Sequence, residues 1–312
     1  MTDTFFATLN QVLMLLLFML AGFFLKKKHI TPAQTPGVLS KLVVWLFMPA
    51  LCFKTFAQNF NLQSLAEKSS YVLAGAVVWT VTFAIAIFLA RLFVGRQKDC
   101  FDKQIYVYSL TFPNFGYIGY PLVEAVFGEL FLFDMMMFSI VYNLTVYTLG
   151  FYLLDPDRGK FSLKSVVNPP IVGIAAGMAV GLLGIPLPSF VRETVFAASG
   201  CMAPVAMLLT GYVLAGAPLK ATFTQPKVYL ICLLRLIGIP ALIGAAFYFL
   251  GAQRELIIIA VTLLAVPTGL NSVVVPQSKG LDTVLGAQCA FISNLIGIFT
   301  IPVVFGLLSA LS

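Results

Sequence analysis

The side chains in this chain that could bind a polar ligand are few, neutral and placed where a helix should fail. Asn114 stands in Phe112-Pro113-Asn114-Phe115-Gly116-Tyr117-Ile118-Gly119-Tyr120-Pro121, and Thr268 and Asn271 stand in Val266-Pro267-Thr268-Gly269-Leu270-Asn271-Ser272. Both segments sit in the middle of apolar runs of helical length, residues 104 to 128 and 255 to 278. Proline removes a backbone donor and clashes with the preceding turn, and the nearby glycines do not restore helix propensity. Each run is therefore expected to break at its middle. Asn143 and Asn294, in the runs that follow each break, add two more amides. No nucleophile, base and acid cluster, and no glycine-rich loop followed by a phosphate-binding lysine, accompanies them. Their chemistry is binding, and no enzyme activity is expected.

The elements that carry these residues follow from composition. Of 312 residues 60% are hydrophobic and 10% charged, with mean hydropathy +0.98. That excludes a soluble domain of this size, and continuous apolar runs of about 20 residues exclude an outer-membrane barrel. The expected fold is an all-α polytopic membrane protein with ten transmembrane helices, at about 4–25, 37–58, 70–94, 104–127, 131–154, 167–187, 193–216, 227–250, 255–277 and 283–311. The first run lacks a basic leader and is followed, not preceded, by Lys26-Lys27-Lys28, so it reads as a helix that stays in the membrane. Non-helical backbone at mid-membrane is tolerated only where it is buried in protein or lines a cavity. Broken spans 4 and 9 thus mark a site.

The net charge of +7 does not point to nucleic acid, because the basic residues fall in short loops. Thirteen of the nineteen, including Lys26, Arg91, Arg96, Lys98, Lys103, Arg158, Lys160, Lys164, Lys220 and Lys279, lie in the loops after odd-numbered spans. That side is expected to be cytoplasmic, with both termini outside. Two five-helix units in series, residues 1–155 and 166–312, must then have opposite orientations. Internal landmarks agree: Pro49 with Pro204, Pro113 with Pro267 and Asn143 with Asn294 are separated by 155, 154 and 151 residues. The expectation is a 5+5 inverted repeat in which spans 4 and 9 cross.

In that crossing the second half of each broken helix starts near mid-membrane, at about Phe115 to Ile118 and Leu270 to Val273. Two helix starts, each with partial positive charge and orphan donors, suit an anion such as a carboxylate. Two helix ends lie nearby, and their carbonyls could hold a cation. Neutral side chains favour the anion, although Asn114 and Thr268 could instead simply cap the broken helices. Ionisable groups inside spans need separate treatment. Lys41 and Lys54 can snorkel to the interfaces, and Arg235 could pair with a carboxylate of substrate or protein. Glu124 and Asp134 flank the outer turn between spans 4 and 5 as candidates for a coupling proton, with solvation at the interface as the plainer reading. Phe112, Phe115, Tyr117 and Tyr120 could shape an apolar pocket beside the break. Gly173-x-x-x-Gly177-x-x-x-Gly181 should let span 6 approach another helix closely, within a scaffold or between subunits. With His29 the only histidine, a His-based metal site is excluded. Cys52, Cys201, Cys232 and Cys289 fall in spans and Cys100 in a loop, so no disulfide framework is expected.

The segment Thr111 to Leu122 resembles the Pro-Asn-x-x-x-x-Gly-x-Pro-Leu crossing of the auxin efflux carrier family, which includes plant auxin transporters and bacterial malate or malonate permeases. Val266-Pro267-Thr268-Gly269 is similar to its partner segment, Asn168-Pro169-Pro170 opens span 6 as in relatives, and Ile298 to Leu308 resembles the last helix. The resemblance implies a fold akin to bile acid/sodium symporters, with spans 1, 2, 6 and 7 as a scaffold that dimerises and spans 3–5 and 8–10 as a moving transport domain. It implies carboxylate recognition at Asn114, Pro113 and Pro267. Thr268, where plant members have a polar amide, and the missing long cytoplasmic loop point away from auxin and toward a bacterial organic-acid carrier of the inner membrane. The expected function is secondary transport of small mono- or dicarboxylates by alternating access. The site would comprise Pro113, Asn114, Gly116, Asn143, Pro267, Thr268, Asn271 and Asn294, with Arg235, Glu124 and Asp134 as charge-pairing or coupling groups. The expected partners are the substrate, the lipid bilayer and a second copy of the chain. No cofactor or metal is expected; a coupling proton or sodium ion stays open. Alternatives are a sodium-coupled symporter of a larger amphipathic acid, an anion-conductive pore, or a receptor without turnover.

Overall fold

The computed structural model of the protein describes residues 2–32, 34–95, 101–155, 166–216 and 223–309. Arg96, Lys98, Cys100, Arg158, Lys160, Lys164 and Lys220, which entered the charge and cysteine arguments, lie outside the described residues, as does most of the join between the two halves. Among the described residues the chain is helical apart from turns and one isolated backbone bridge.

In chain order the helices are α1 (Thr2–Lys27), α2 (Thr35–Asn59), α3 (Leu62–Val94), α4 (Phe101–Thr111), α5 (Phe115–Phe127), α6 (Glu129–Phe138), α7 (Ile140–Leu153), α8 (Pro169–Leu183), α9 (Ser189–Leu214), α10 (Pro226–Phe249), α11 (Arg254–Leu264), α12 (Asn271–Ser278) and α13 (Val284–Ser309). Among the described residues six are long and apolar enough to cross a membrane, namely α1, α2, α3, α9, α10 and α13. The pair α6 and α7, bent by 56° at Ser139, makes a seventh. These match seven of the ten expected spans. Expected span 6 is α8, only 15 residues long, and expected spans 4 and 9 appear in pieces, as α4 with α5 and α11 with α12.

Prolines shape the long helices without ending them. Three segments widen into a π turn two residues before a proline: Val43–Phe47 before Pro49, Phe115–Gly119 before Pro121 and Leu234–Gly238 before Pro240. A proline ring cannot share space with the carbonyl four residues back. The preceding residue bonds one position further instead, Met48 to Val43, Tyr120 to Phe115 and Ile239 to Leu234.

Glycines decide which helices touch. A β-carbon at Gly173, Gly177 or Gly181 of α8 would run into the backbone of α2 at Pro49, Phe53 or Phe56. The small-residue stripe therefore serves packing of α8 on α2. Gly22 of α1 and Gly211 of α9 make the same kind of approach, against Leu208 and Met19. The other helices surround the two breaks, which lie in the buried centre: Thr111 to Phe115 and Leu264 to Leu270 are all buried.

Candidate functional site

The two interruptions meet. The Asn114 N–H donates to the Pro267 carbonyl at 2.7 Å and the Gly269 N–H donates to the Phe112 carbonyl at 3.0 Å, an antiparallel bridge centred on Pro113 and Thr268. This pattern takes donors from residues 114 and 269 and acceptors from 112 and 267. It asks for no N–H from residue 113 or 267, so both prolines stand where a missing donor costs nothing. The Thr268 N–H is satisfied separately, by Ser293 Oγ at 3.1 Å. Backbone that could not survive bare in hydrocarbon is thus paired across the crossing.

One side of the crossing carries the amides. Pro113, Asn114 and Gly116 at the start of α5, Asn143 on α7 and Asn271 at the start of α12 line a common cavity of about 30 Å³, closed by Met48 of α2, Tyr117 and Tyr147. That volume holds one or two waters. Asn114 occupies the capping position of α5, yet its side chain makes no cap bond, and its Nδ2 is buried without a partner. The capping role that its type allows is therefore not the one it takes. Asn143 donates through Nδ2 to the Tyr120 hydroxyl at 2.8 Å and to the Ser139 carbonyl at 3.2 Å, and the two hydroxyls of Tyr120 and Ser139 are 2.6 Å apart. Its Oδ1 is buried and unpaired. The cavity thus presents an orphan donor and an orphan acceptor beside two helix starts, where partial positive charge accumulates.

The other expected residues are elsewhere. Pro267 and Asn294 line a second cavity of about 30 Å³ with Val12, Leu15, Ile118, Leu122 and Met207. The Asn294 Nδ2 donates to the Ala290 carbonyl of its own helix at 2.7 Å. Thr268 is fully buried between the two, its hydroxyl 3.5 Å from the Ser109 carbonyl. Neither Thr268 nor Asn294 meets Asn114 in this arrangement.

Charged groups correct two expectations. Glu124 is held by Lys54 at 2.9 Å, and Lys54 also reaches Glu129 at 3.5 Å; Asp134 is held by Lys68 at 2.9 Å. Neither carboxylate is simply solvated at an interface, and Lys54 does not merely snorkel, because α2 and α3 bring lysines against the short turn at Gly128. Lys41 is exposed, as a snorkelling residue would be. Arg235 is fully buried in the wide turn of α10 and has no carboxylate partner among the described residues. Among those residues no cluster of three or more His, Cys, Asp or Glu could hold a metal, and the described cysteines are free.

Several contributors were not legible as such. Tyr120, expected only to shape a pocket, orients Asn143; its signal is a phenol in a buried span, which must find a polar partner. Met48 comes from a distant helix, and a β-carbon at Gly116 would meet its terminal methyl. Tyr108, Tyr147, Ser139 and Ser293 carried no distinguishing spacing.

Comparison with known proteins agrees with this architecture. A family model described as "Membrane transport protein" matches residues 7–163 and 158–305. The chain is 23% identical over 302 residues to an "Uncharacterized transporter" of Methanothermobacter thermautotrophicus, covering 96% of this chain and 97% of the other. It is 24% identical over 285 residues, 86% of each chain, to a protein of Rhizobium meliloti named "Putative malonate transporter". It is 22% identical over 314 residues, 96% of each chain, to the "Uncharacterized transporter YfdV" of Escherichia coli.

Proposed function

We propose that this chain, which belongs to the membrane transport protein family and is not an enzyme, is a secondary carrier of small organic anions, mono- or dicarboxylates such as malonate or malate. The observation that carries this reading is the Asn114 side chain. It stands at a helix start in the protein centre, with a buried donor that no described protein group satisfies. Leaving such a group unpaired costs about 1 to 3 kcal/mol, and a carboxylate oxygen would remove that cost. Asn143 and Asn271 line the same cavity, and the starts of α5 and α12 add favourable charge. The name of the Rhizobium relative suggests malonate as the first compound to try.

The cavity is too small for malonate as it stands, so the carrier must open to load. We read the fold as ten spans in a 5+5 inverted repeat, with α4 plus α5 and α11 plus α12 as the crossing spans and α8 as the short sixth. In this reading α1, α2, α8 and α9 form the scaffold and the remaining helices move against it as a unit, in an elevator-type alternation. The protein would reside as a homodimer in a bacterial inner membrane with both termini outside. The glycine contacts of α8 with α2 and of α1 with α9 favour a scaffold of those four helices.

A larger amphipathic acid is the second reading. It has in its favour an apolar cavity of about 260 Å³ between α1, α9 and α13 that includes Asn294. One experiment separates the two: thermal stabilisation of the purified protein by a panel of carboxylates, amphipathic acids, cations and neutral solutes. A true ligand at a hundred times its dissociation constant adds about 2.7 kcal/mol. Stabilisation by malonate or a similar small acid is expected. Stabilisation only by amphipathic acids would favour the second reading, and no response to any carboxylate would end the first.

A further inference from the structure

Arg235 lines neither cavity at the crossing, yet it is among the largest fully buried side chains. A guanidinium stays charged under all physiological conditions, and a charge in the membrane interior persists only where something compensates it. No described carboxylate pairs with it. Among the described residues its one hydrogen bond runs from Nη1 to the Leu110 carbonyl at 3.5 Å, while Nε and Nη2 have none. Leu110 is the penultimate residue of α4, at the end of a half-helix, where carbonyls lack partners and about half a negative charge accumulates.

The acceptors at that end can be followed one by one. The Tyr108 carbonyl accepts from the Phe112 N–H, Ser109 from the Thr268 hydroxyl, Leu110 from Arg235 and Phe112 from the Gly269 N–H. A crossing of this kind offers helix starts to an anion and helix ends to a cation. Here one helix end already holds a cation made of protein. The stretch 151 to 155 positions back along the chain, Thr80 to Ala84, contains no charged residue, so the other repeat has no counterpart.

We propose that Arg235 is the resident counter-cation of the crossing. It stands at the end of α4, where a coupling sodium ion would otherwise be needed, and its fixed positive charge favours carboxylate binding without an alkali cation. This inference rests on the carrier reading and specifies its ion coupling.

The test uses the full-length protein with malonate as probe. Malonate uptake into proteoliposomes should be unchanged within about twofold when choline replaces sodium, since an ion without a differential site shifts no equilibrium. Arg235→Gln should weaken malonate binding by about tenfold or more, because a fixed positive charge that acts without touching the ligand is removed from a low-dielectric interior, and Arg235→Lys should recover most of it. A purely structural Arg235 would lower the melting temperature of the unliganded protein in both variants without this division in affinity. Sodium-dependent uptake by the wild type, or wild-type affinity in a folded Arg235→Gln protein, would overturn the proposal and leave the carrier reading intact. If Arg235→Gln does not fold, the sodium arm and the lysine variant decide: sodium-dependent uptake or lost affinity in Arg235→Lys counts against it. Absence of any carboxylate binding by the wild type would overturn both.

Discussion

The two cavities that flank the crossing are alike in size and origin and opposite in chemistry. Each is about 30 Å³, each touches both broken spans, and each adds residues from the span that follows a break and from long helices outside the crossing. One draws on α2 and α7, the other on α1, α9 and α13. The first gathers Asn114, Asn143 and Asn271, and the second surrounds Asn294 with Val12, Leu15, Ile118 and Met207. In the first an amide donor is left over, whereas in the second the amide is bonded back to its own helix. Helices can thus close on a crossing from both sides while only one of the two cavities leaves an amide donor unpaired.

The comparison can be broken most decisively by charge. Asn114→Asp puts a carboxylate where a carboxylate is to bind, and malonate affinity should fall by about a hundredfold or more, because like charges repel strongly at low dielectric. Asn294→Asp on the other side should leave affinity nearly unchanged; an equal loss in thermal-shift titrations would mean that both cavities belong to one site. Asn114→Ala is the next largest, with about 1 to 3 kcal/mol of binding lost. The unliganded melting temperature should hold, since Nδ2 has no protein partner to lose. Tyr120→Phe removes the hydroxyl that holds Asn143 and should cost about 1 kcal/mol of stability, accompanied by a smaller loss of malonate affinity seen in the same titrations. Smallest is Lys54→Met, which releases Glu124 and Glu129 away from both cavities. Partly exposed pairs contribute at most about 1 kcal/mol, so a chemical-denaturation midpoint should move slightly and malonate binding not at all.

Much of the crossing was readable from residues alone. Pro113 and Pro267 mark the breaks because proline's missing donor and its ring disfavour a mid-helix position and the glycines close behind each do not restore helix propensity. The second halves begin at Phe115 and Asn271, inside the windows expected for them. Asn168 followed by two prolines opens α8 with its side chain accepting from the Ile171 N–H at 3.0 Å, as local rules require. Partners across space were not readable. Glu124 and Asp134 looked solvated because no local pattern places Lys54 and Lys68, 70 and 66 residues earlier, beside them. Gly173, Gly177 and Gly181 announced a close approach, but not whether α2 or another subunit would make it.

What the sequence by itself determined is where this chain forms long apolar helices, where helix must fail, and that the failures carry neutral hydrogen-bonding side chains. Those outcomes depend on hydropathy, on proline's geometry and on residue type, all of which act within a few residues. Only the tertiary structure decided that the two failures satisfy each other's backbone, that Asn114 and Asn294 end on opposite sides, and that Arg235 reaches the end of α4. Each of these depends on which distant carbonyl or side chain arrives at a given point. That is settled by packing of the whole bundle, because a buried polar group takes whatever partner the assembled helices bring to it.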